Sequence, residues 1–140
     1  AIVIILFLTN ALPLYRLYSS PPSFNGEYSP ASLREPVRIV KTVAQAELHR
    51  TPVVAARKGY IIHYADASPA ALPYTDLAGL RRFATLNHVD FIFLEYRHIA
   101  TRPFLRDFAN GAPSPEFVLL YGGLDAFGQK LELYRFRAMP

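Results

Sequence analysis

Residues 89–96 read VDFIFLEY, and the four residues Phe91-Ile92-Phe93-Leu94 form an unbroken apolar run between Asp90 and Glu95. A strand with one wet face alternates apolar and polar residues. A continuous run bounded by carboxylates therefore predicts a central strand covered on both faces. Covering both faces of a sheet takes helices on either side, so this stretch sets the expected fold class for the whole chain, α/β.

Working outward, TDLAGLRRFATLN (75–87) predicts a helix capped by Thr75, with Leu77, Leu80, Phe83 and Ala84 facing inward and Asn87 as a left-handed terminator. Further upstream, TPVVAARK (51–58) and GYIIHYAD (59–66) read as two strands, with His63 half-inside the second, and DASPAALP (66–73) reads as a loop. A helix is expected in REPVRIVKTVAQAELHR (34–50), where Val37, Val40, Ala44 and Leu48 make one apolar stripe. Pro36 is its expected first residue, because deeper inside a helix its ring would press on the Ser32 carbonyl. Downstream, TRPFLRDFANG (101–111) predicts a short helix led by Pro103 and closed by Gly111. The end, EFVLLYGG to KLELYRFR, predicts a C-terminal β-hairpin, with Gly122 and Gly123 explained by its turn. The whole is a small mixed sheet, parallel at its core and antiparallel at one edge, flanked by about three helices.

Composition fits a single domain and excludes several functions. The chain has 140 residues, 51% hydrophobic and 19% charged, enough apolar surface for a core and too much for a disordered chain. Fifteen Lys and Arg against eleven Asp and Glu leave a net charge of +4, spread along the sequence. Arg57-Lys58 and Arg81-Arg82 stand without the aromatic interleaving of a nucleic-acid reader, so nucleic acid is not an expected partner. The absence of cysteine excludes a disulfide scaffold, a thiolate zinc site and a cysteine nucleophile.

The first fourteen residues, AIVIILFLTNALPL, hold only Thr9 and Asn10 as polar side chains. As a helix they would span about 21 Å, short of a hydrocarbon core of about 30 Å, and they show no polar face for packing on a soluble domain. The expectation is the end of a transmembrane helix over residues 1–18, cut on its N-terminal side, with Tyr15 and Tyr18 at the membrane interface. From Leu17 to Leu33 there is no Lys or Arg, which points to an extracytoplasmic flank. The Ser- and Pro-rich residues 19–30 read as a linker, and residues 31–140 as an extracytoplasmic α/β domain.

No complete catalytic motif is present. GxGxxG, GxxxxGK[ST] and GxSxG are all missing, and the first strand runs into Arg57-Lys58-Gly59-Tyr60, which cannot form a glycine-rich phosphate turn. Histidines 49, 63, 88 and 98 lack metal spacing, and the Glu95–His98 pair straddles a strand end, so no metal and no cofactor are expected. Asp90 and Glu95, five apart, cannot work as an acid/base pair. The cations are more informative. Arg57 and Lys58 end the first strand, Arg97 and His98 follow the third, and Arg102 begins the last helix. If the first and third strands are parallel neighbours, Arg57, Lys58 and Arg102 are candidate contacts for a phosphate or an acidic sugar at the edge where α/β sheets bind ligands. The competing reading is a solvated basic rim making surface ion pairs.

The succession Ala56-Arg57-Lys58, Tyr64, Leu72-Pro73, Val89-Asp90-Phe91, Arg102-Pro103 and Leu133-Tyr134-Arg135-Phe136 resembles the soluble C-terminal domain of bacterial GT-C membrane glycosyltransferases. These are related to dolichyl-phosphate-mannose–protein mannosyltransferases and to the lipid A aminoarabinose transferase. The resemblance runs over most of residues 31–136; one departure is Gly59, where many relatives carry proline. It implies an integral membrane protein that moves a sugar from a polyprenyl-phosphate carrier to a lipid, glycan or protein acceptor. The resemblance also implies that the donor is engaged by the membrane portion outside this chain, where the essential acidic residues belong to an early extracytoplasmic loop among the membrane helices. No catalytic residue is then expected here, and residues 1–18 contact membrane lipid. The alternative is a membrane-tethered binding or assembly module without enzymatic activity.

Overall fold

The computed structural model describes residues 30–97 and 102–138. Helix α1 (Pro30–Val43) continues into a π-helical turn (Ala44–Leu48) and is followed by β1 (Val53–Ala56), α2 (Tyr60–Tyr64), β2 (Ser68–Ala71), α3 (Leu77–Leu86) and β3 (Phe91–Glu95). A 3-10 helix (Pro103–Arg106) then leads to β4 (Phe117–Leu124) and β5 (Lys130–Phe136). The five strands form one mixed sheet in the order β2-β1-β3-β5-β4. β2, β1 and β3 run parallel, whereas β5 is antiparallel to both β3 and β4.

β3 is the middle strand and every one of its residues is buried. Its alternate side chains feed two separate cores. Ile92 and Leu94 join Leu80 and Ala84 of α3, Phe104 and Phe108, and Tyr134 on one face. Phe91 and Phe93 join Leu33 and Val40 of α1, Ile61 of α2, and Leu131 and Leu133 on the other. The result is a three-layer α/β sandwich, as the apolar run at 91–94 requires. α3 presents the apolar set expected of it, with Leu80 and Ala84 fully buried and Leu77 and Phe83 at the margin.

Several elements differ from their sequence expectation, each for a local reason. GYIIHYAD is a helix, not a strand. Ile61 and Ala65, four apart, are both buried, whereas the two-residue alternation of a strand would have drawn His63 inside with them. His63 is exposed instead. The loop expected at 66–73 contains strand β2. Ser68 N donates to the Pro52 carbonyl just before β1 and Leu72 N to the Ala56 carbonyl at its end, so alternate residues turn their N–H groups inward and Pro69 falls where an N–H would face the open edge. Helix α1 begins at Pro30, not Pro36. The earlier start brings Leu33 into the core at 2% exposure, and Pro36, itself buried, lies within the helix rather than at its first position.

Asp76, not Thr75, caps α3, its Oδ1 accepting from Gly79 N at 2.8 Å. Thr75 leans on Gly79 so closely that an added Cβ would lie 1.8 Å from its Oγ1, which reserves that position for glycine. The left-handed residue after α3 is His88 (φ 51°) rather than Asn87. Gly122 and Gly123 lie within β4; the hairpin turns at 125–129, where Gly128 has φ 73°.

Candidate functional site at the C-terminal sheet edge

Because β1, β2 and β3 are parallel, the residues that leave them collect on one edge. β1 and β3 are neighbours, with Val54 opposite Phe91 and Ala55 opposite Ile92. That is the condition under which Arg57, Lys58 and Arg102 were expected to converge. Glu95 closes β3 on the same edge, and the hairpin adds Asp125, Lys130 and Glu132.

Most of these cations are already matched. Arg57 Nε stands 3.5 Å from Glu95 Oε2, and Glu95 is only 6% exposed, so this arginine neutralises a buried carboxylate. Lys58, the next residue, is half-buried at the mouth of the edge and has interactions of its own. Arg97 lies 3.5 Å from Asp125 Oδ2 and 4.7 Å from the Phe127 ring. Asp125 is fixed in turn, because its Oδ1 accepts from Phe127 N and Gln129 N at 2.8 Å each and shapes the hairpin turn. Glu132 accepts from Tyr134 at 2.8 Å and from Tyr96, and Lys130 Nζ sits 2.6 Å away. Burial first, and then the hydrogen bond to the Glu132 carboxylate, push both phenols well above their ordinary range. The sequence reading passed over Asp125 and Glu132. Their signal was weak: a polar residue in a turn, and one acid among the apolar residues of KLELYRF.

Arg102 is different. It is 6% exposed, its Nη2 donates to the Leu72 carbonyl at 3.5 Å, and its guanidinium lies 4.5 Å from the centre of the Tyr74 ring. Its Nε is buried with no hydrogen-bond partner. Among the described residues, the segment after β2 thus supplies both of these side-chain contacts.

A second basic cluster occupies the opposite edge. There a hollow of about 400 Å³ is lined by Arg50, His88, Asp90, Arg135 and Arg137 among others. Asp90 organises it. Arg50 donates to both Asp90 carboxylate oxygens at 2.8 Å, Val53 N donates to Oδ2 at 2.8 Å, and Arg135 Nη1 reaches Oδ1 at 3.2 Å. Arg137 pairs with Glu47 at 3.5 Å. α3 and the π-helical turn both end on this side, so the negative ends of their dipoles point toward these cations. Helix ends and Asp90 account for this cluster without a ligand.

Asp90 and Glu95 stand at opposite ends of β3, Asp90 tied to Arg50 and Arg135 and Glu95 to Arg57, and make no acid/base pair. Among the described residues no group of three His, Asp or Glu side chains could hold a metal ion, and no helix is long and apolar enough to cross a membrane. His98, the anchor expected over 1–18 and all of the linker expected over 19–30 except Pro30 lie outside the described residues. Comparison of the chain with family models, with curated proteins and with solved structures gives no match.

Proposed function

We propose that this chain supplies the non-catalytic extracytoplasmic domain of an integral-membrane glycosyltransferase that uses a polyprenyl-phosphate sugar donor. Residues 1–18 sit in the cell membrane in this reading, and residues 19–140 lie outside the cytoplasm. The sugar passes to a lipid, glycan or protein acceptor at membrane helices outside this chain. The domain shapes the approach of carrier or acceptor.

The observation that supports this reading is a gathering of motifs. Three of the segments on which the resemblance rests, Arg57-Lys58, Leu72-Pro73 and Arg102-Pro103, are far apart in sequence yet share one sheet edge. Arg57 and Lys58 leave β1, Leu72 and Pro73 leave β2, and Arg102 donates to Leu72. Ligands of open α/β sheets bind at that edge.

The test compares membranes carrying the protein of the complete reading frame with the 140-residue chain, both given a labelled polyprenyl-phosphate sugar. Transfer is expected from the former alone, and is expected to drop to background when residues 31–138 are excised. Transfer by the 140-residue chain unaided would sink the placement of the chemistry elsewhere. A reading frame holding at most one membrane segment would favour the tethered binding or assembly module.

A further inference from the structure

Among the described residues, four arginines keep a buried Nε without a hydrogen-bond partner: Arg57, Arg81, Arg102 and Arg135. Three of them have a carboxylate beside them, Glu95, Glu116 and Asp90 respectively. Among the described residues no carboxylate pairs with Arg102, and residues 98–101, which precede it in sequence, are His-Ile-Ala-Thr. Withdrawing a guanidinium from water is costly unless a counter-charge offsets the lost hydration. One long hydrogen bond to Leu72 and the face of Tyr74 offset only part of it. A fold that needed only packing at this position would be served by an apolar side chain.

We propose that Arg102 is the seat of a phosphate-bearing ligand. The planar fork of the guanidinium matches two oxygens of one phosphate group, which a lysine would meet only as a point charge. Tyr74, whose ring centre lies 4.5 Å from the guanidinium, is 75% exposed, and in this proposal the ligand reaches Arg102 from that side. Two further cations, Arg57 and Lys58, leave the neighbouring strand β1 at the same edge, Arg57 being matched by Glu95. Arg57 and Lys58 then contribute to the field, and Arg102 makes the contact. Choosing an isoprenyl phosphate as one probe rests on the membrane-transferase reading; the anion seat itself rests on the packing of Arg102.

The experiment is thermal unfolding of the 140-residue chain in phosphate-free buffer, then with inorganic phosphate, and separately with geranyl phosphate. Saturating ligand is expected to raise Tm by about 5 °C or more. Arg102→Met is expected to be at least as stable as the parent without ligand and to lose the shift. Arg106→Gln, which removes an exposed charge from the same segment, should keep it. Arg102→Lys should retain only a reduced shift. A parent Tm that neither compound moves overturns the proposal, and so does a shift that survives Arg102→Met. Loss of folding or of stability in phosphate-free Arg102→Met does the same, since it makes the cation structural. A shift with inorganic phosphate but none with geranyl phosphate keeps the Arg102 seat and removes the polyprenyl carrier from it.

Discussion

Three residues with side chains take the left-handed conformation in the described chain: His49, Asp66 and His88, with φ of 52°, 54° and 51°. Each follows a helical segment and precedes one of the parallel strands, so each reverses the chain between layers of the sandwich. At His88 the bonding is complete. His88 N donates to Thr85 O at 3.2 Å and Val89 N to Ala84 O at 2.9 Å, the paired bonds of a Schellman closure. Asn87 is the better left-handed residue by propensity, but its amide bonds back to the Phe83 carbonyl at 2.8 Å, which satisfies a helix-end acceptor one position earlier. The strain falls on an exposed histidine. Glycine at this position relieves a Cβ contact but loosens the unfolded chain, so His88→Gly is expected to gain about 0.5–1 kcal/mol net. The urea midpoint should rise with the m-value unchanged. A midpoint that stays or falls would mean that the imidazole is itself held in the neighbouring hollow.

At the scale of elements, β3 is decided by its two ends. Asp90 joins the loop after α1, the start of β1 and strand β5 through Arg50, Val53 N and Arg135. Asp90→Ala removes the acceptor of Val53 N, leaves buried Arg135 with the residue-90 carbonyl alone and releases half-exposed Arg50 to water, and is expected to cost about 3 kcal/mol. Adding Arg135→Met should recover part of that loss. A cost below about 1 kcal/mol in denaturant unfolding would show that water replaces the carboxylate there. β3, α3 and the hairpin were legible in the sequence because one pattern dominates each: a continuous apolar run, a helical stripe, and two strands around a glycine-bearing turn. α2 and β2 were not. In YIIHYA the apolar positions satisfy a spacing of two and of four equally well, and only the exposure of His63 between the buried Ile61 and Ala65 resolves it. In SPAA a proline reads as loop until its place on the outer edge is known. The candidate site divides the same way. Arg57 and Arg102 are visible as cations at element ends. Their opposite fates depend on Glu95 and Tyr74, and which cation each one meets is set by strand order.

The whole molecule is drawn together at the C-terminal edge by the Glu132 cluster. It links Tyr96 after β3, Lys130 and Tyr134 of β5, and the Phe108 carbonyl, which accepts from Tyr96 at 3.0 Å. This joins the antiparallel half of the sheet to its parallel half. It also gives stability a direction in pH. Tyr96 and Tyr134 keep their protons in the folded chain well beyond the ordinary range, held by burial and by Glu132, while the unfolded chain loses them near pH 10. Above that point the folded state binds more protons than the unfolded one. The contribution is therefore complete below about pH 10 and declines as pH rises past it. Unfolding free energy is expected to fall steeply between about pH 10 and pH 11, where the unfolded phenols ionise. In Tyr96→Phe/Tyr134→Phe the midpoint is lower throughout, because Glu132 loses two donors, yet the fall over that interval is shallower. Slope is the decisive reading, since any loss of packing lowers the midpoint, but only removal of the two phenols removes their protons. An unaltered slope would mean that both phenols ionise in the folded chain as readily as in the unfolded one, and that the Glu132 cluster does not hold the two halves of the sheet together.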